Sequence, residues 1–119
     1  MIIVDEQQIG EVAKDAFCEH VRALLVQNFP DAKMEDDARL KKEIWEQAKL
    51  ANTYGLHGKR SCATFVVTAW ILGIGFDKTH SVLRRTLSDA KLAPCVRAAA
   101  LEEYTLNLLV AITSRRGRE

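Results

Sequence analysis

The sequence has few residues that cross-link or kink a chain, and its many charged residues nearly cancel one another. It has two prolines and six glycines in 119 residues, as expected of a helical protein with short connections. Its three cysteines are an odd number without a close pair, which argues against a disulfide framework and favours buried free thiols in a reducing compartment. Because the formal net charge is +1, no strong electrostatic attraction to nucleic acid or to an anionic membrane is expected.

Catalytic and metal-binding patterns are also missing from the sequence. Cys18 and His20 are the only close pair of histidine or cysteine residues, and residues two apart on a helix point to different sides. Residues 55–60 place two glycines three apart, but the Gly-Lys-Ser/Thr ending of a phosphate loop and a preceding strand are absent, so a helix end followed by a loop is the better interpretation. A cysteine and a histidine brought together only by the fold stay open as an alternative. We therefore expect no catalytic, cofactor or metal site and predict that the protein is not an enzyme.

The most apolar stretch, SCATFVVTAWILGIGF, occupies residues 61–76 near the middle of the chain. A helix that is apolar on nearly all sides is either buried or spans a membrane. A span needs about 20 apolar residues, and this stretch is shorter and has charged residues close on either side. Residues 65–67 would also suit a strand, but the length of the stretch and the N-cap candidate Ser61 favour a helix that ends at Gly73 and Gly75. The sequence thus predicts a central buried helix at about residues 61–74.

Further helices are predicted on both sides of this centre. The first begins at the N-cap candidate Asp5 and ends near Phe29, before a proline. Its apolar residues recur at three- and four-residue steps: Ile9, Val12, Ala13, Ala16, Phe17, Val21, Leu24 and Leu25, with His20 at the core edge. The others are expected at about 37–54, with Leu40, Ile44, Ala48 and Ala51 inward, at 82–87, and from Pro94 onward.

These elements predict an all-α, single-domain bundle of about four to five helices over residues 1–113, followed by a basic tail at 114–119 that is expected to fray. The start of the chain turns acidic too early for a signal peptide, so a cytoplasmic protein is expected. The loops around the central helix offer candidate contacts for a protein partner. These candidates are His57, Lys59, Arg60, Asp77 and Lys78, each of which has helix capping and solvation as its plainer interpretation.

The order of motifs between residues 54 and 101 resembles a known group of proteins. Tyr54-Gly55-Leu56 comes first, then the apolar run ending in Leu72-Gly73-x-Gly75-Phe76-Asp77, then Leu87-Ser88-Asp89 and Leu92-x-Pro94-x-x-Arg97. This order is similar to that of small helical proteins encoded beside type VI secretion effectors, spike proteins and their adaptor/chaperones in bacteria. The resemblance implies a non-enzymatic protein that binds an effector or its adaptor/chaperone.

Three functions are therefore compared. The first is an accessory of the adaptor or co-chaperone type for a type VI secretion effector, for which an exposed apolar groove is expected. The second is an immunity protein that neutralises a toxin, for which an exposed acidic patch is expected. The third is a small nucleic-acid-binding or regulatory module that uses Arg84, Arg85 and the basic tail, although the near-neutral charge predicts no nucleic-acid partner.

Overall fold

The structure, a computed structural model, describes the backbone of residues 11–118 and the side chains of residues 13–112. The helices are α1 (Glu11–Asn28), a 3₁₀ helix (Pro30–Met34), α2 (Asp37–Thr53), α3 (Lys59–Leu72), α4 (Phe76–Thr79), α5 (Ser81–Ser88) and α6 (Pro94–Arg118). Residues 11–118 contain no strand, so the prediction of an all-α single domain is confirmed. The predicted N-cap Asp5 and the apolar Ile9 lie outside the described residues.

Helix α3 is the centre of the bundle, as predicted. It packs against α1, α2 and α6 and also touches α4. Cys62, Phe65, Val66 and Ala69 from this helix are buried in the core. The helix begins two residues earlier than predicted, because Gly58 is the N-cap and the Ser61 hydroxyl, already inside the helix, donates a hydrogen bond to the Gly58 carbonyl at 3.1 Å.

Helix α2 shows how well a three- and four-residue apolar pattern predicts a buried face. Leu40, Ile44, Ala48 and Ala51 are all buried, as expected. Its N-cap is Asp36, whose carboxylate accepts a hydrogen bond at 3.1 Å from the third residue of the helix and so satisfies an end N–H that would otherwise have no partner.

The segment after α3 was expected to be a loop, and this prediction is wrong. Gly75 adopts a left-handed conformation, with φ of +95°, and caps a single turn of helix, α4. The turn buries Phe76 against Phe65, with ring centroids 4.9 Å apart. His80 then caps α5, because its Nδ1 accepts a hydrogen bond from the Leu83 N–H at 3.5 Å.

Helix α6 begins at Pro94, as predicted, and its backbone continues through Arg118. The helix therefore includes residues 114–118 of the predicted basic tail. Fraying of this tail remains a prediction. Across the part of the chain that the structure describes, no helix combines the length and the hydropathy that crossing a bilayer requires.

Candidate protein-binding groove

An open groove of about 540 Å³ lies between α1 and α6, with α3 as its floor. We call it the α1–α6 groove. Both outer helices contact α3, but over the described residues they make little contact with each other. Two helices that flank a third without packing together leave the apolar side chains between them uncovered.

The groove is mainly apolar. Its lining includes Ala16, His20 and Leu24 from α1, Ala63, Thr64 and Val67 from α3, and Thr105, Leu106 and Leu109 from α6. Leu106 is 54% exposed, which is high for a leucine. An exposed apolar depression of this kind is typical of a binding surface.

The apolar stripe of α1 is not entirely buried, contrary to the prediction. Ala16 was predicted on the core face, but the structure leaves it exposed in the groove, and His20 is exposed beside it. Phe17, Val21 and Leu25 are buried as predicted. The apolar stripe of α1 is thus wider than the surface that α2 and α3 cover.

Charged groups stand at the end of the groove where α3 begins. The Arg60 guanidinium donates two hydrogen bonds to the Glu102 carboxylate, at 2.5 and 2.9 Å. The Arg60 side chain is 82% exposed, so this ion pair adds little to the stability of the fold. Lys59 is exposed next to it and has no ion-pair partner among the described residues. Since Arg60 and Glu102 balance each other, Lys59 gives this end of the groove a positive charge.

The five candidate contact residues do not form one patch. Lys59 and Arg60 line the α1–α6 groove. His57 is half-buried in the loop before α3, and its Nδ1 is buried without a hydrogen-bond partner. Lys78 is exposed on α4, outside the groove lining.

Asp77 was expected to be exposed, and the structure corrects this. The residue is only 1% exposed, because the turn of α4 directs it toward the core. Its carboxylate accepts a hydrogen bond from the Tyr54 hydroxyl at 2.6 Å. Burial, together with this hydrogen bond, raises the pKa of Tyr54 to about 12. Asp77 thus joins the end of α2 to α4 and is not accessible to a partner.

Two sets of polar contacts fix the position of α6, and neither was predicted from the sequence. The Arg97 guanidinium, in the first turn of α6, donates to the backbone carbonyls of Tyr54 and Asp89 at 2.9 and 3.0 Å. Farther along α6, the buried hydroxyls of Thr105 and Thr68 are 2.5 Å apart. Thr68 also donates to the Thr64 carbonyl, so Thr105 is the donor between the two hydroxyls. The threonine spacing on α3 was visible in the sequence, but its partner on α6 was not.

Cys18 and Cys62 are buried free thiols, as expected, whereas Cys95 is exposed. Burial raises the pKa of the Cys62 thiol to about 11, and the thiol donates to the Leu56 carbonyl at 3.2 Å. A thiol that stays protonated at neutral pH is a poor nucleophile. Among the described residues, no group of three or more His, Cys, Asp or Glu side chains is arranged to hold a metal ion.

Arg84 and Arg85, which the nucleic-acid alternative would use, are exposed on α5. Comparison of the chain with models of known protein families, with curated proteins and with solved structures found no match.

Proposed function

We propose that the protein is a non-enzymatic protein-binding domain that holds an amphipathic helix of a partner in the α1–α6 groove. The observation that carries this proposal is the open apolar groove itself, with exposed leucine on one wall and exposed alanine on the other. Laying the apolar face of a helix between helices is a common mode of peptide recognition.

The dimensions of the groove suit a short helical segment. Its floor extends along α3 from Lys59 to Val67, which is about 12 Å at 1.5 Å per residue. That length corresponds to about two helical turns, enough for apolar anchors at positions i, i+3 or i+4, and i+7 of the bound helix.

The charge at the end of the groove indicates the chemistry of the occupant. Lys59 is the first residue of α3, so its ammonium charge adds to the positive end of the helix dipole there. An acidic residue at the matching end of the bound helix would complement both. The proposed occupant is therefore an amphipathic helix with an apolar face and an acidic terminal turn.

The resemblance of the sequence to proteins encoded with type VI secretion effectors supports a choice of partner. On that basis, the bound helix would belong to an effector or to its adaptor/chaperone, and binding would take place in the bacterial cytoplasm before secretion. The protein would then act as an adaptor or co-chaperone that covers an apolar segment of its client.

An immunity role is a second candidate, because residues 31–43 carry five exposed carboxylates against four basic side chains. The exposed acidic residues at the start of α2 and just before it are Asp31, Glu35, Asp36, Asp37 and Glu43. Such a surface would complement a basic cleft in a toxin.

Co-purification of the tagged protein with the products of its neighbouring genes, combined with a toxicity-rescue assay, tests both candidates. Capture of an effector or adaptor/chaperone without rescue supports the adaptor function. Capture of a toxin with rescue of the cell establishes the immunity function and overturns the adaptor function.

A matched pair of variants tests whether the groove is the binding surface. Leu106→Glu places a charge in the groove, whereas Val82→Glu changes a residue of similar exposure, 53% against 54%, on α5. We expect Leu106→Glu to weaken binding by about thirtyfold, the effect of losing an anchor worth about 2 kcal/mol. Val82→Glu should bind like the unmodified protein. Equal effects of the two variants would show that the partner binds elsewhere.

A further inference from the structure

A second cleft, of about 350 Å³, lies between the 3₁₀ helix, α2 and the end of α3. We call it the α2–α3 cleft. Its lining shares no residue with that of the α1–α6 groove. The residues that give it a distinct chemistry are Asp31, Glu35, Glu43, Gln47 and Trp70.

The rim of the α2–α3 cleft is negatively charged. Asp31, Glu35 and Glu43 are exposed, and none of the three takes part in an ion pair among the described residues. Arg39 is the only basic residue in the lining. Carboxylates outnumber it three to one, so the cleft attracts a cation.

Gln47 supplies an independent sign of a ligand. The residue is only 6% exposed, yet it contributes to the lining of the cleft. Its buried Oε1 has no hydrogen-bond partner. Buried polar side chains are normally paired, so an acceptor in this state suits a site completed by a donor from outside the chain. Because Oε1 itself is buried, a donor in the cleft reaches it only when the amide group turns about the last side-chain torsion, which is broad in glutamine.

Trp70 contributes an aromatic side chain to the lining of the cleft. Its indole is half-buried and lines the same cleft. Planar cations stack well on an indole face, and guanidinium does so more often than ammonium. The site thus combines an aromatic plane, a neutral acceptor and anionic acceptors at the rim.

We propose that the α2–α3 cleft binds a guanidinium group, as carried by an arginine side chain. A guanidinium has five N–H donors in one plane, so it donates to Gln47 Oε1 and to the rim carboxylates while its face lies on Trp70. An ammonium ion has no plane to stack. The group is supplied either by an arginine of a protein chain or by a free arginine-like molecule. This inference does not depend on the α1–α6 groove or on its occupant.

Nuclear magnetic resonance titration of the full chain tests the proposal. The probes are N-acetylarginine amide, its citrulline counterpart, which is similar in shape but uncharged, and agmatine. We expect the arginine amide and agmatine to shift the Trp70 indole and the Gln47 side-chain amide signals, and the citrulline compound to leave them in place. A Trp45→Phe variant assigns the two indole signals.

Charge variants link the shifts to the cleft. Glu43→Gln should weaken binding about two- to fivefold, the range for interactions between exposed charges. Glu103→Gln, an exposed residue on α6 outside the cleft, should leave binding unchanged. Both positions are exposed, and melting curves of each variant show that the fold is kept.

The outcomes separate clearly. Binding of N-acetylarginine amide at least as tight as that of agmatine identifies a protein arginine as the source, whereas tighter binding of agmatine identifies a small molecule, and both results support the site. Equal shifts with the citrulline compound, no shift at Trp70 and Gln47 with any guanidinium probe, or equal weakening by Glu103→Gln would overturn the proposal.

Discussion

Replacing Tyr54 by phenylalanine tests whether Asp77 is held as a buried, hydrogen-bonded carboxylate. The change removes the hydroxyl that donates to Asp77 at 2.6 Å and leaves a carboxylate that is 1% exposed without that donor. The aromatic ring, which packs beside Phe65 with centroids 6.1 Å apart, is kept. Because a hydrogen bond to a charged group contributes about 1.5–3 kcal/mol, we expect the free energy of unfolding to fall by about 2 kcal/mol. The melting temperature of a domain of this size should then drop by about 8 °C.

Tyr104→Phe is the matched control. Its hydroxyl lies 2.7 Å from His80 Nε2. No carboxylate takes part in this contact. Loss of a side-chain hydrogen bond of this kind costs about 1 kcal/mol, so Tyr104→Phe should be the milder of the two changes. Urea titration at neutral pH measures both values. An effect of Tyr54→Phe that is no larger than that of Tyr104→Phe would refute the charged hydrogen bond.

The pH dependence gives a second check on the same contact. Burial and the Asp77 hydrogen bond raise the pKa of Tyr54 from 10.0 to about 12. The folded state therefore holds the phenol proton more tightly than the unfolded state, and this contribution to stability is complete below pH 10 and lost as the pH rises toward 12. The stability difference between the unmodified protein and Tyr54→Phe should shrink across this interval. The buried Cys62 thiol titrates in both proteins, so its contribution cancels. A difference that stays constant from pH 10 to 12 would contradict the assignment.

Two further comparisons test the packing around α3 and α6. Gly55→Ala should lower the free energy of unfolding, measured by urea titration, by about 1 kcal/mol more than Gly75→Ala does. Both residues have positive φ, +84° and +95°, but only at Gly55 would the new methyl group lie 3.2 Å from Pro94. Equal losses of stability in the two variants would mean that Pro94 moves to make room for the methyl group at position 55. Thr68→Val and Thr105→Val should each destabilise the fold by about 1 kcal/mol, and the double variant by less than the sum, because it leaves neither hydroxyl unpaired. If the losses of unfolding free energy in the two single variants add up to that of the double variant, the two hydroxyls are not coupled.

Two local signals in the sequence predicted the structure correctly, although the local N-cap signal at Ser61 did not. Helix α6 starts at Pro94 because a proline at the first helical position loses no hydrogen bond. The inner face of α2 follows from apolar residues at helical spacing. These signals need only the residues within one or two helical turns, so no knowledge of the rest of the fold was required.

Positions that depend on distant residues were not predictable in this way. Asp77 follows a glycine turn and carries a charge, so exposure was the reasonable expectation. Its burial depends on Tyr54, which is 23 residues away, and on the left-handed conformation of Gly75. The cleft around Gln47 likewise joins three elements, none of which carries a recognisable ligand motif. Such sites are visible only when the helices are placed relative to one another.

The open groove was not predictable either. A periodic pattern shows which face of a helix is apolar, but not which neighbouring element covers that face. The position of α6 is set by polar contacts on the α3 side: Arg97 binds the backbone carbonyls at the ends of α2 and α5, and Thr105 binds Thr68. These directional bonds hold α6 on α3 without requiring contact with α1. Leu106, one residue after Thr105, is then left facing the groove. The uncovered apolar surface therefore follows from how α6 is anchored, which is why a groove variant such as Leu106→Glu is expected to affect binding and leave the fold intact.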